Sequence, residues 1–186
     1  MTPKKTSHTG YTVPGLTLQD GHRVAELLQP RLHALNDLQL TLKHAHWNVV
    51  GRDFIGVHEM LDPQIDLVRA MVDETAERIA TLGVSPNGLP GALVAGRSWD
   101  DYSIGRAHTT AHIAGLDQVY TGFLASHRQT LDAVARLDPV TEDMVISQCA
   151  QLELFQWFLR AHLEDDDGGL ATAGATSERS AAAKAK

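Results

Sequence analysis

The sequence predicts an all-α protein. Four long helices form a bundle, and one long connection, between the second and third, carries a short helix of its own. Three observations predict this. Apolar residues recur at helical spacing over four separate stretches. Residues 83–103 are rich in Gly, Pro, Ser and Asn, and a connection of that length in a compact domain reads as a crossover running the length of the bundle. No stretch alternates as a half-buried strand does. The 186 residues suit one domain, and 43% hydrophobic residues suffice for a packed core.

The first helix begins near Thr17 or Asp20. Val24, Leu27, Leu28, Leu32, Leu35 and Leu42 give its apolar stripe, and Leu38 and Leu40 widen it, as for a helix packed on more than one side. Pro30 deletes one backbone hydrogen bond and predicts a bend. The helix ends near Asn48, and Gly51 marks the turn. The second helix runs from Asp53, as N-cap, to Leu82, with Gly83 as C-cap. Its stripe is Phe54, Val57, Met60 or Leu61, Ile65, Val68, Val72, Ile79 and Leu82, with Pro63 inside it. The short link makes these two helices antiparallel neighbours. A short helix is expected near Gly91–Ala95, a third long helix from Ile104 to Leu137, and a fourth from Asp138-Pro139 to Leu163 or Glu164. The bundle thus spans residues 16–165. Residues 1–15 read as a flexible basic tail carrying Lys4 and Lys5, and residues 166–186 as a second flexible tail carrying Arg179, Lys184 and Lys186.

The net charge of −7 sets the body of the protein against nucleic acid. Any contact with DNA falls to the tails, where Asp165, Asp166, Asp167 and Glu178 oppose the C-terminal cations. A single cysteine, Cys149, allows no intrachain disulfide and fits a reducing compartment. No apolar run reaches membrane-spanning length, and the start lacks a signal-type apolar segment, so a cytoplasmic protein is expected.

The chemistry concentrates between His46 and Glu77. His46, His58, Asp62, Asp73 and Glu77 are the nitrogen and oxygen donors that suit iron, zinc or manganese. On one helix, His58, Asp62, Asp73 and Glu77 fall at about 0°, 40°, 60° and 100°, a shared face, yet His58 and Glu77 lie roughly 28 Å apart along the axis. One chain cannot close them on one metal. The midpoint of His58 and Glu77 and that of Asp62 and Asp73 coincide, between Leu67 and Val68. A second copy laid antiparallel about a two-fold axis there sets His58 against Glu77 and Asp62 against Asp73, twice. Singly, each acid is more simply a solvated side chain and each histidine a packed one; the matched midpoints distinguish the set. The bundle offers no other metal motif: no Glu is followed three residues later by His, and His58-Glu59 is followed by Asp62 where a zinc-protease motif needs His. His33, His44, His108, His112, His127 and His162 have no partners at ligand spacing, and Cys149 reads as packing.

The stretches His46-Trp47-Asn48, Phe54 to Asp62 and Asp73 to Arg78 resemble the intersubunit ferroxidase signature of the Dps family, the mini-ferritins of starved bacteria. Its pattern is His, eleven residues, His, three, Asp, ten, Asp, three, Glu, and each position is filled here. The resemblance covers roughly residues 12–165. It implies a ferritin-like bundle, a homododecamer built from two-fold dimers, and a two-metal iron site shared between subunits. It also implies oxidation of Fe(II) by hydrogen peroxide in preference to oxygen, with storage of Fe(III) mineral inside the cage. His46 and His58 would then bind Fe(II), Asp73 and Glu77 of the partner chain would favour Fe(III), and Asp62 would hold a second iron or its water. Trp47 would wall the site or accept a radical, and Glu59 would seed mineral. Binding and protection of double-stranded DNA by the basic tails, with a nucleoid-associated location, would follow the family as well. Its acidic three-fold pores are not matched: the corresponding region has His127, Arg128, Asp132, Asp138, Glu142 and Asp143. The alternative is a nucleoid-compacting structural protein whose metal site is vestigial or holds zinc.

Overall fold

Helix α1 (Leu18–Asn48) opens on Thr17, whose side-chain oxygen accepts from the Asp20 amide. A two-residue strand β1 (Val49–Val50) and a turn lead to α2 (Phe54–Thr81). The chain then passes through α3 (Pro90–Gly96) and strand β2 (Ala107–His108) to α4 (Thr109–Val134) and α5 (Pro139–Ala161). A last helix, α6 (Glu178–Lys184), lies on α4. This computed structural model describes residues 8–185, so Lys4, Lys5 and Lys186 lie outside it. Both α1 and α2 run unbroken through Pro30 and Pro63. No helix among the described residues is long and apolar enough to cross a membrane.

The four long helices close around one main core. Leu35, Leu38 and Leu42 of α1 pack with Leu61, Ile65 and Val68 of α2, Leu116, Tyr120 and Leu124 of α4, and Leu152, Phe155 and Leu159 of α5. Each such side chain, fully withdrawn from water, contributes about 1.5–3 kcal/mol. Tyr120 is wholly buried, and its hydroxyl donates to Gln64 Oε1 at 2.8 Å. At the other end Val24 and Leu28 meet Ile79, Leu82, Val134 and Val145. Cys149 is buried there, a packing residue as expected.

The structure also differs from the sequence reading at the start of α4 and at both ends of the chain. The third long helix starts at Thr109 rather than Ile104, because Ala107 and His108 pair in parallel with Val49 and Val50. This pairing ends the crossover beside the end of α1. Ile104 and Tyr102 then press on α4 at Gly115, where an added methyl would stand 2.5 Å from Ile104 Cδ1 and 2.7 Å from the Tyr102 hydroxyl. The segment after α5 is not a free tail. The Ala171 amide donates to the Leu163 carbonyl at 2.8 Å, Ser177 and Ser180 form a capping box, and Ala181 is fully buried against the main core. Glu178 accepts from the Ser103 amide at 2.7 Å, tying α6 to the crossover.

The N-terminal segment is also held. The Thr9 amide donates to the Gly83 carbonyl at 2.8 Å, and Gly83 has φ +88°, a left-handed turn that glycine adopts without steric cost.

Candidate metal centre

The antiparallel pairing of α1 and α2 brings the last turn of one against the first turns of the other. His46 and His58 stack there, ring centroids 3.6 Å apart and planes 25° apart. The contact is reciprocal: His46 Nδ1 lies 3.0 Å from the His58 carbonyl, and His58 Nδ1 lies 3.0 Å from the His46 carbonyl. A carbonyl only accepts, so each Nδ1 carries the hydrogen and each Nε2 is left with a bare lone pair. This is the arrangement that fixes an imidazole for metal binding, with the backbone carbonyl as the orienting partner. Phe54 packs against the His58 ring at 4.8 Å.

Asp62 completes the group. One ligand atom from each of His46, His58 and Asp62 lies within 4.8 Å of the others, and they form the one such set among the described residues. Asp62 sits one helical turn after His58, which puts both on the face turned to α1. Lys43 Nζ donates to Asp62 Oδ1 at 3.1 Å, and His46 Nδ1 lies 3.4 Å from the same oxygen. The Lys43 hydrogen bond, aided by the positive charge around it, holds the Asp62 carboxyl below its ordinary value. Sequence reasoning missed Lys43. It lies one turn before His46 on α1, but no spacing rule links it to an acid on another helix. Its ammonium lies where it would compete with a second cation for Asp62.

Asp73 and Glu77 do not join this group. They stand exposed near the far end of α2, around a shallow depression also lined by Glu74, Arg78 and Asp143. The Glu74 carboxylate is tied inward, accepting from Gln148 Nε2 at 2.9 Å. The carboxylates of Asp73 and Glu77 make no ion pair or hydrogen bond among the described residues. Trp47 is 71% exposed on the outer side of α1, beside the histidines in sequence, and Glu59 is also exposed.

Several of the other histidines are fixed by other polar groups. His33 Nε2 lies 2.9 Å from the Asn87 carbonyl, Tyr102 Oη lies 3.2 Å from His112 Nδ1, and His127 Nε2 lies 3.0 Å from Gln148 Oε1. His127 is wholly buried, and burial drives its pKa down to about 4. It therefore stands in the core as a neutral ring, not at a pore. Asp138 is likewise buried, as the cap of α5. Of the tail cations, Arg179 is exposed and Lys184 donates to the Ala173 carbonyl.

A four-helix bundle with one long crossover, carrying a histidine–carboxylate cluster on its first helix pair, defines a ferritin-like protein. A family model described as a ferritin-like domain matches residues 25–168. The chain is 53% identical over 178 residues to a DNA protection during starvation protein of Mycolicibacterium smegmatis, covering 96% of this chain and 97% of that one. It is 52% identical over 160 residues to a fine tangled pili major subunit of Haemophilus ducreyi, covering 86% and 85%. The solved structure of DpsA14 from Streptomyces coelicolor superposes with a TM-score of 0.87 at 57% identity, covering 90% of this chain and 99% of that one. The chain belongs to the Dps family of ferritin-like proteins.

Proposed function

We propose that this protein oxidises Fe(II) at sites shared between two-fold-related copies and keeps the product as mineral inside a twelve-chain cage. The observation that carries this reading is the reciprocal His46–His58 lock, which presents two bare Nε2 atoms beside the Asp62 carboxylate. Three protein ligands with open positions suit Fe(II), and the set is incomplete within one chain. Asp73 and Glu77, exposed and unpaired on the same helix, are the anionic donors a second copy would bring. Carboxylates favour Fe(III) over Fe(II), so their arrival would lower the barrier to electron loss. With hydrogen peroxide as oxidant, two Fe(II) each give one electron, the O–O bond breaks, and hydrolysis of the Fe(III) releases protons. The acidic total of the chain draws cations toward such a cage. Trp47 would cover the site from the solvent side, and Glu59 would offer a first anchor for mineral.

Crystals soaked in Fe(II) without oxidant and measured at the iron absorption edge test the site. An anomalous peak is expected at bonding distance from His46 Nε2 and His58 Nε2, with Asp73 and Glu77 of a two-fold mate on its other side. A peak elsewhere, with the two histidines bare, contradicts the site.

DNA binding is the second part of the proposal, supported by the name of the mycobacterial relative and by Lys4, Lys5, Arg179 and Lys186. Weak contacts repeated on twelve chains would act together. Removal of residues 1–7 combined with Arg179→Ala is expected to abolish gel retardation of double-stranded DNA at low salt, and added salt should weaken retardation by the parent protein steeply. Unchanged retardation by the variant would place the contact elsewhere. Truncating from residue 170 is the poorer test, because it removes buried Ala181. The alternative, a nucleoid-compacting protein whose site is vestigial or holds zinc, predicts DNA condensation without iron oxidation.

A further inference from the structure

Away from the histidines, a cleft of about 720 Å³ opens between α1, α4, the crossover and the start of α6. Its floor holds Arg31, only 7% exposed. The Arg31 guanidinium makes no hydrogen bond and no ion pair among the described residues, and its Nε and Nη1 are sealed from solvent without partners. Nη2 is the nitrogen left to the cleft. The Phe123 ring, 6.0 Å from the guanidinium carbon, is its electrostatic neighbour. Burial pushes the Arg31 pKa down from its ordinary value. A buried charge in a folded protein is normally paired, and this one is not.

All but one of the carboxylates around the cleft are engaged elsewhere. Arg97 takes Asp37 at 3.2 Å and Asp101 at 2.5 Å, and Trp99 Nε1 donates to Asp37 at 2.8 Å. Glu178 is held by Ser103. Asp100 is exposed at the mouth and pairs with nothing among the described residues. With Asp100 out at the mouth and the other acids engaged, the position beside Arg31 is open to an anion from outside the chain. A single open nitrogen does not offer the two-pronged grip that suits a phosphate, and the acids at the mouth repel a dianion. Leu38, Val119, Phe123 and Trp99 line the walls, so the cleft presents apolar surface around Arg31; Arg179, exposed, is a second cation in its lining.

We propose that this cleft binds a small monocarboxylate with an apolar body, its carboxylate on Arg31 and its body against Phe123 and Trp99. The site is separate from the metal centre and does not depend on the iron reading.

Calorimetric titration of the assembled full-length protein with 1-naphthylacetate tests it, with 1-naphthylmethylammonium as the cationic control. Saturable binding of the acid, one per chain, and none of the amine is expected. Arg31→Met should weaken the acid by roughly ten- to a hundredfold, as for loss of a hydrogen bond to a charged group. Gly122→Leu is the second variant. Gly122 lines the cleft and a Cβ there meets nothing within 4 Å, so a leucine side chain starts from open space beside the proposed ligand; it should abolish binding. No saturable heat from the acid, equal binding of acid and amine, or parent-like affinity in either variant would overturn the proposal. If Arg31→Met fails to assemble, Gly122→Leu decides.

Discussion

Replacing His46 and His58 together with Ala is expected to slow Fe(II) oxidation, followed by stopped flow, by more than the roughly 10–100-fold that loss of an outer-shell partner costs a metal site. The two rings are ligands in the proposed site, and each is oriented by the other residue's backbone carbonyl and by stacking on the other ring. Removing either ring therefore removes one donor and takes only the stacking contact from the other, whose Nδ1 keeps its backbone acceptor. The fold should survive. His58 is half-buried in the first turns of α2 and His46 is buried in the last turn of α1, so both changes fall at helix ends. A circular dichroism melt near that of the parent, with a rate at the uncatalysed level, is the expected pair of results. A parent-like rate would show that oxidation occurs elsewhere.

The second large effect concerns stability. Asp138 caps α5 through the Val140 and Thr141 amides and receives Arg78 Nη2 and the Thr141 hydroxyl. Burial alone would raise its pKa, but the hydrogen bonds from Thr141 and Arg78 outweigh burial and hold it below the ordinary value. Asp138→Ala leaves Arg78 half-buried without its anion and α5 without its cap. Breaking a buried pair in this way costs about 3–5 kcal/mol, and each kcal/mol lowers Tm by roughly 2–4 °C for a chain of this length. The measurement is a thermal melt at fixed protein concentration, because assembly makes Tm concentration-dependent. The pH dependence has a definite sign. A carboxylate whose pKa is depressed by folding contributes stability above its unfolded pKa, near 3.9, and loses it as pH falls through the folded value. The gap between parent and variant should therefore be full at neutral pH and narrow in acid. A gap that widens in acid would contradict the assigned role of Asp138.

Much of the fold is legible in the residues themselves. Thr17 as N-cap, Gly83 at the end of α2, and Asp138-Pro139 at the head of α5 are local signals, and local chemistry decides them. The start of α4 is not local. Ile104 reads as part of an apolar helical stripe, but its backbone belongs to a crossover fixed by the Val49–Val50 pairing far away in sequence. The C-terminal helix is hidden for a different reason. Its Ala and Ser composition resembles that of an unfolded tail, and only the surface of α4 gives Ala181 somewhere to go. The Ser177 and Ser180 spacing was the available clue. At the site, donor types and spacing are enough to mark His46, His58 and Asp62, which the fold does bring together. Lys43 stayed invisible because its partner lies on another helix. Asp73 and Glu77 stand outside the cluster within one chain, as the helix geometry requires, since about 1.5 Å of rise per residue separates them from His58.

Subunit mixing tests the shared site most directly. One variant carries His46→Ala and His58→Ala, and the other carries Asp73→Ala and Glu77→Ala; each alone has no complete site. Dissociated, mixed and reassembled, the two should recover part of the parent's Fe(II) oxidation rate, because a mixed two-fold pair rebuilds one intact centre from opposite halves. No recovery in a mixture shown to contain both chains in one assembly would mean that the histidines and the distant acids never meet.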